Sequence, residues 1–525
     1  MYKLILFLVF SASAIAAQES SVSASLAKTI ESATLKEHVY TLASDEWEGR
    51  ETGTEGNMKA AKYIADQFTS YGIPPLENSG NYYQEVDFTV FKWDSISLSV
   101  TGQPAEHLNE FFAIPQNFPV INELMGITSM VFLGYGIDDP AYSDYKGLDV
   151  RGKHLLVYGG EPRDEQENFR ISGSTQASAW SYDAILKVKA AKKAGAASIW
   201  IIEERFRMMS NYARRHLLNG SVQMGSPDQL NDYIPHVVVS STLGQQIAGK
   251  KVEKIIKLRK KITSTGKGHH TTIPVDLQLI AKHNIKSTPS VNVLGYIEGT
   301  DPDLKKETVV ITAHFDHLGK RGNDIYNGAD DNASGTSGVL EIAQAFAIAK
   351  AEGTGPRRSV LCMLVTGEEK GLLGSQYYVE NPIFPLENTV ADVNIDMIGR
   401  MDKLHVDSNY VYVIGADRLS SELHKINESV NNQYTKIVLD YSFNEKDDPN
   451  RFYERSDHYN FAKNGIPAIF YFAGTHPDYH RATDTPDKIM YERAATIAQL
   501  AFHTAWELAN RKDRIKVDVI STDKS

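Results

Sequence analysis

The chain has 525 residues, 42% hydrophobic and 23% charged, with a formal net charge of -11. Such a length exceeds what one hydrophobic core organises, so two or more domains are expected. The acidic balance argues against a general nucleic-acid binder, whose surface is basic, and a single cysteine, Cys362, excludes an intrachain disulfide framework.

The first segment, MYKLILFLVFSASAIAAQES, reads as a secretory signal. Lys3 precedes the apolar run Leu4 to Phe10, and Ala14, Ala16 and Ala17 offer a small-residue cleavage site. That run is short for a membrane span of ~20 residues, and no later stretch is apolar enough to cross. The expectation is export, to a periplasm or the medium, with no stable membrane insertion after signal removal. Next come helical patches around the polar loop SDEWEGRETGTEG. In MKAAKYIADQFTSYGI, Ala61, Ile64, Ala65 and Phe68 recur at helical spacing up to a stop at Gly72. QEVDFTVF and SISLSVTG read as two strands.

From about Gly102 the runs SMVFLGYGI, DVRGKHLLVYGG, ASIWII and IPHVVVS are short and β-rich, with a helix in WSYDAILKVKAAKKAGA ending at Gly195. The stretch 250–270 holds eight Lys or Arg, which a solvated face explains better than a polyanion site. His269 and His270 read as a surface pair. From Ser290 the pattern is strand, loop, helix, repeated: VNVLGYIEG, ETVVITAHF, the helix NASGTSGVLEIAQAFAIAKA, SVLCMLVTGEE with Cys362 in its interior, the helix GLLGSQYYVEN, then VADVNIDMIG, YVYVIG and GIPAIFYFAG. Strands apolar on both faces and alternating with helices imply an α/β fold with a mixed, mostly parallel central sheet flanked by helices. The stretch from Gly102 reads as a smaller, compact α/β module of about 150 residues. The expected layout is a signal at 1–17, parts of the main domain at 18–100 and 285–515, the smaller module at 101–284, and a tail at 516–525.

Ligands of such sheets bind beyond the carboxyl ends of the strands. His314 follows VVIT, Glu369 follows LCMLVTG and Asp396 follows VNI, so three metal-ligating side chains arrive at one sheet edge. Asp331 in NGADDNASG and His480 in HPDYH complete a set of two imidazoles and three carboxylates, which suits two zinc ions and metal-assisted hydrolysis. Asp331 is the bridging carboxylate of this reading, with Asp330 as rival. Glu368 and Glu369 are adjacent, so their side chains diverge: Glu369 is assigned to metal and Glu368 to the general base. Asp316, two residues beyond His314, can accept the other imidazole N–H of His314; His317 is a weaker candidate for any role. Spacing alone does not choose among His480, His476 and His458. Tyr479 can donate to a developing oxyanion. The aromatics Tyr441, Phe443, Phe452 and Tyr453 fit a pocket lining and core packing equally well. No G-x-S-x-G, H-E-x-x-H or P-loop is present, and Cys362 lies in a core strand, which disfavours the rival chemistries.

At AHFDHLG, NGADDNASG, TGEEKGLLGS, NIDMIG and the late DYH, the chain resembles the M28 family of co-catalytic zinc peptidases, motif by motif and in order over most of 285–490. The resemblance implies Asp331 as the bridge, His314 and Asp396 as terminal ligands of one zinc, and Glu369 and His480 of the other. It further implies Glu368 as base and Tyr479 as the oxyanion-stabilising tyrosine. LASDEWEGRETGTEGNMKAAKYIADQF looks like the start of the same catalytic domain, and the middle module resembles an inserted protease-associated domain. The implied activity is that of an exported di-zinc aminopeptidase acting on peptides or proteins with a free N-terminus. The alternatives are a carboxypeptidase, dipeptidase or glutaminyl cyclase on the same fold, with Arg455 the one basic residue offered for a terminal carboxylate. A non-catalytic receptor is the remote alternative.

Overall fold

The computed structural model describes residues 21–121, 123–225 and 232–519. The signal expected at 1–17 lies outside them. The chain forms two compact units, one of residues 1–87 and 288–525 and one of 88–287. The division falls upstream of the expected 100/101 boundary. QEVDFTVF and SISLSVTG are one continuous strand, Tyr83–Val100, which runs from the first unit into the second.

The larger unit is built on a sheet whose strands lie in the order Val438–Asp440, Tyr410–Ile414, Ala468–Phe472, Thr389–Ile395, Thr308–His314, Ser359–Val365 and the end of His270–Ile297. Neighbours are parallel except where Tyr410–Ile414 meets Ala468–Phe472 and where Ser359–Val365 meets Val293–Ile297. Every residue of the three strands Thr308–His314, Ser359–Val365 and Thr389–Ile395 is buried. Their runs of Val, Ile and Leu have no polar face to show water, so both faces need helices. Side chains alternate accordingly. Val309, Ile311, Cys362 and Leu364 pack with the helices Gly335–Ala351 and Tyr491–Asn510, whereas Val310, Leu361, Met363 and Val365 pack with Tyr378, Val379 and Phe461 from Leu373–Glu380 and His458–Lys463. Cys362 is a buried free thiol in the strand interior. The helix expected near Gly72 is Glu55–Ser70, burying Ala61, Ile64, Ala65 and Phe68.

The smaller unit is an α/β layer. Met125–Leu133, His154–Tyr158, Ser198–Glu203 and His236–Ser240 run parallel in that order, with Phe111–Phe112 antiparallel at one edge. The basic stretch forms the helix Val252–Thr265, whose buried residues are Ile255 and Ile262. Its lysines lie on the solvated side, as its charge pattern implies.

One buried cation organises the corner of the larger unit where three site loops meet. Arg50 is fully buried and donates to the carbonyls of Leu42 (2.5 Å), Phe315 (2.8 Å), Asn327 (2.7 Å) and Gly328 (3.0 Å). Burial draws its guanidinium down to about 10 against the opposing pull of Asp316, Asp331, Asp484 and Glu369, so it stays charged at neutral pH. The chain reaches it through Gly49, at φ 71°, where a Cβ would lie 2.2 Å from the Tyr326 carbonyl oxygen. No side chain fits there. Arg50→Met strips four buried carbonyls of their donor. The expected loss is on the order of 3–5 kcal/mol, read as a lower calorimetric transition for the larger unit; an unchanged transition contradicts this role.

Candidate active site

The four parallel strands of the larger unit end at one edge, and their first loop residues converge there. His314 closes its strand and is almost wholly buried. Its Nδ1 lies 3.1 Å from the Asp316 carbonyl oxygen, which can only accept. The Nδ1 therefore carries the proton and Nε2 presents its lone pair. That Nε2 lies 3.3 Å from Asp331 Oδ1, 3.3 Å from Asp396 Oδ1 and 3.9 Å from Glu368 Oε2. Asp396 is oriented by Ser456, whose hydroxyl donates to its Oδ2 at 2.8 Å.

Asp331 faces both ways. Its Oδ1 meets His314, and its Oδ2 lies 3.1 Å from His480 Nε2. The turn that aims it is held by Asp484, whose Oδ2 accepts the main-chain N–H of Asp330 (3.0 Å) and of Asp331 (3.2 Å). Asp330 points away: its Oδ1 accepts from the Gly399 N–H at 2.6 Å, and its Oδ2 lies 3.4 Å from His476 Nε2. Glu369 Oε2 lies 3.3 Å from His480 Nε2. Thus His314, Asp331, Glu369, Asp396 and His480 come together, with Glu368 beside His314. His476 is buried against Asp330, and His458 stacks on Phe470 with centroids 4.8 Å apart, so neither joins them.

One expectation changes. The carboxylate of Asp316 stands 3.8 Å from His314 Nδ1; the partner is its own carbonyl. The carboxylate instead accepts from the Glu368 N–H (3.1 Å) and the Thr52 hydroxyl (2.8 Å). Main-chain geometry fixes the imidazole, which leaves the Asp316 side chain to hold the Glu368 backbone. Sequence reasoning also undervalued His317, whose Nδ1 is 2.8 Å from Glu369 Oε1. Asp457, for which the sequence offers pocket shaping with Arg455 or else a cap or surface ion pair, is a fully buried acid bonded to Ser375 (2.6 Å) and pushed up to about 7 by burial. The one signal for His317 was its place three residues after His314 in a single loop.

The charges of the cluster are strongly coupled. Burial works against the Asp331 carboxylate, yet His317, His314 and His480 hold it well below its ordinary range. Burial and Asp331 push Glu369 up, but His480 and His317 prevail and bring it to about 2. Burial, then Glu369, Asp457 and Asp396, push Glu368 well above its ordinary value against the pull of His314. Burial also raises the Tyr479 hydroxyl, with Asp331 and Glu369 adding to it, so the phenol keeps its proton. Its oxygen accepts from Arg455 Nη2 at 3.2 Å, and its ring stacks on His480.

The residues fit zinc. Asp331, Asp396 and His314 form one group able to hold a cation, and Asp331, Glu369 and His317 form another. His314 Nε2, Asp396 Oδ1, Glu369 Oε1 and both nitrogens of His317 are buried without a hydrogen-bond partner. Buried polar atoms rarely stay so, and lone pairs aimed at common points rather than along N–H directions are what a nitrogen-and-oxygen metal site presents. The cluster opens into a pocket whose apolar walls are Met397, Phe452, Phe470 and Phe472, with Thr475, Arg455 and Tyr479 joining the carboxylates in its polar lining. Of the four aromatics considered from sequence, Phe452 lines it, Phe443 and Tyr453 pack behind, and Tyr441 belongs to the main core.

Residues 292–505 match the model of Peptidase family M28. The match spans the part of the larger unit that carries His314, Asp331, Glu369, Asp396 and His480. It is 30% identical over 215 residues to a probable leucine aminopeptidase of Trichophyton verrucosum, covering 40% of this chain and 56% of that protein. It is 37% identical over 111 residues to a probable glutamate carboxypeptidase of Arthroderma benhamiae, covering 21% of this chain and 14% of that one. The chain thus spans about half the length of the curated aminopeptidases it matches. Among solved structures, the aminopeptidase from Aneurinibacillus sp. strain AM-1 shares the fold with a TM-score of 0.57 at 20% identity, covering 95% of this chain and 98% of its own.

A zinc centre here ties metal to stability, because the folded state alone assembles these donors. Dialysis against a strong chelator is expected to lower the unfolding transition, and added zinc to restore it. Free zinc at a thousandfold excess over its dissociation constant is worth about 4 kcal/mol. Calorimetry with zinc quantified by mass spectrometry checks this; a transition indifferent to both treatments contradicts a metal centre.

Proposed function

We propose that this chain is an exported di-zinc aminopeptidase that removes residues from the free N-terminus of peptides. The observation that carries the reading is Asp331, with one carboxylate oxygen toward His314 and Asp396 and the other toward His480 and Glu369. It is the geometry of a carboxylate shared by two cations. The pair His314 and Asp396 would hold one zinc, the pair Glu369 and His480 the other. When bound, zinc in such a pair supplies Lewis-acid polarisation of the scissile carbonyl and makes water a nucleophile at neutral pH.

The side chains supply the rest. Glu368 stands farther from His314 Nε2 than Asp331 and Asp396 do, and it lines the pocket. Beside the metal donors and open to the pocket, its carboxylate is placed to take the proton of the attacking water and return it to the leaving amine. As the oxygen–carbon bond forms and charge gathers on the carbonyl oxygen, Tyr479 donates its retained proton in a hydrogen bond. Because the Tyr479 oxygen accepts from Arg455, its own O–H remains available to donate to substrate. The apolar walls take a hydrophobic side chain, and the acidic floor of Asp331, Glu368 and Asp396 favours a protonated α-amine. The smaller unit is proposed to be a protease-associated insert, and the leader an export signal.

Arg455 gives one rival its physical basis: a guanidinium at the pocket suits a substrate carboxylate, as a carboxypeptidase or dipeptidase requires. Blocking the two ends of one peptide separates the readings. An aminopeptidase loses turnover on N-acetylation and keeps it on C-terminal amidation; the opposite pattern overturns the proposal. Glu368→Gln is expected to lower kcat by roughly 10²–10⁴-fold, the range of general-base catalysis, with zinc content unchanged. Tyr479→Phe is expected to lower kcat by about 10²-fold, with little change in KM. Near-normal kcat in either variant refutes that residue's role.

A further inference from the structure

We propose that His317 is a sixth protein ligand of the metal centre, binding through Nδ1 the cation held by Asp331, Glu369 and His480. The inference rests on the metal reading above and adds to it a residue outside the ligand set that the sequence resemblance implies.

His317 is completely buried. Its Nδ1 lies 2.8 Å from Glu369 Oε1 and 3.7 Å from Asp331 Oδ2. The short distance to Glu369 invites a hydrogen bond, but the alignment fails: neither His317 Nδ1 nor Glu369 Oε1 has a hydrogen-bond partner. A nitrogen at contact distance from a carboxylate, with its in-plane direction aimed elsewhere, is what two ligands of one cation look like. Donors about 2.0–2.2 Å from zinc in a tetrahedron stand roughly 3.3–3.6 Å apart. The observed 2.8 and 3.7 Å fall on either side of that range. His480 Nε2 completes the group, 3.1 Å from Asp331 Oδ2 and 3.3 Å from Glu369 Oε2.

The ring is also held in place for this task. The His317 main-chain N–H donates to the Arg50 carbonyl at 3.3 Å, tying the residue to the buried-arginine corner. Gly328, at φ 56°, lies against its other side, where a Cβ would come within 2.4 Å of His317 Cγ. A surface-seeking or merely space-filling histidine needs no such clamp. The consequence is asymmetry. With His317 bound, the Asp331, Glu369, His317 and His480 site would carry four protein donors, two of them nitrogen. The His314, Asp331 and Asp396 site carries three and keeps a position for substrate.

X-ray absorption at the zinc edge tests this on the full-length protein loaded with two zinc ions, because imidazole rings scatter characteristically. Three rings shared by two zincs are expected in the wild type, from His314, His317 and His480; two rings overturn the proposal without a single variant. In His317→Asn the count is expected to fall to two, as it does in His480→Asn, and one zinc equivalent is expected to be lost to a chelator at least 10-fold more readily. His317→Gln serves if the asparagine variant does not fold. An unchanged ring count in the variant overturns the inference. A wild-type protein that takes up no zinc is a separate result, and it defeats the metal reading itself.

Discussion

Four carboxylates, those of Asp331, Glu368, Glu369 and Asp396, meet at one largely buried sheet edge, and their mutual repulsion is the constraint around which the larger unit is organised. Like charges at such distances in a low-dielectric setting cannot coexist without compensation. Imidazoles supply part of it. Arg50 supplies more from behind the site, through its field on Asp316, Asp331, Asp484 and Glu369. Arg50 also donates to the carbonyls of Phe315, Asn327 and Gly328, so the cation that eases the repulsion is the one that shapes the loops carrying His314, His317 and Asp331. Removing either contribution leaves the other without its purpose.

The sheet explains why the groups arrive together. Parallel strands end at the same edge, so residues far apart in sequence share one rim. Register sharpens this: His314 pairs with Val365, and Thr312 pairs with Asn394. The loops after the three neighbouring strands therefore begin within a residue or two of one level. The fourth strand, Ala468–Phe472, is parallel to Thr389–Ile395 and delivers the Tyr479 and His480 loop to the same place. Polar side chains inside the sheet tie the levels, with the Thr312 hydroxyl between Asp392 and Asn394, and Asn394 donating to Ser456, which in turn orients Asp396.

Much of this was legible because it depends on periodicity and on residue type at strand ends. Runs such as VVIT and LCMLV announce buried parallel strands, and an acid or histidine just after each run is conspicuous. Glu369 and Glu368 were separable because adjacent side chains diverge. What was not legible depends on distances between loops. The choice of Asp331 over Asp330 follows from Asp484 and Gly399, more than sixty residues away. The tautomer of His314 is set by a carbonyl, which carries no side-chain signature. The strand Tyr83–Val100 looked like two because its polar middle, KWDS, breaks an alternation that the backbone continues through. His317 was passed over for a similar reason: an imidazole three residues from another is ordinary until Gly328 is seen to press it inward.

The pocket places a limit on what the centre can accept. Its walls are Met397, Phe452, Phe470 and Phe472, and Phe470 and Phe472 belong to a strand whose other side chains, Ile469 and Tyr471, lie in the main core. Enlarging it would shift the Tyr479 and His480 loop that follows the same strand. On the proposed reading, selectivity for the substrate side chain and placement of the Tyr479 hydroxyl are thereby linked through one strand. Arg455 adds a charge to this linkage, since it holds the Tyr479 oxygen and packs over the Phe452 ring at 4.8 Å. A substrate carboxylate that drew Arg455 away would take the hydroxyl's neighbour with it. A neutral amide at that position would not, so on the proposed aminopeptidase reading a longer peptide disturbs Tyr479 less than a substrate bearing a carboxylate close to the scissile bond.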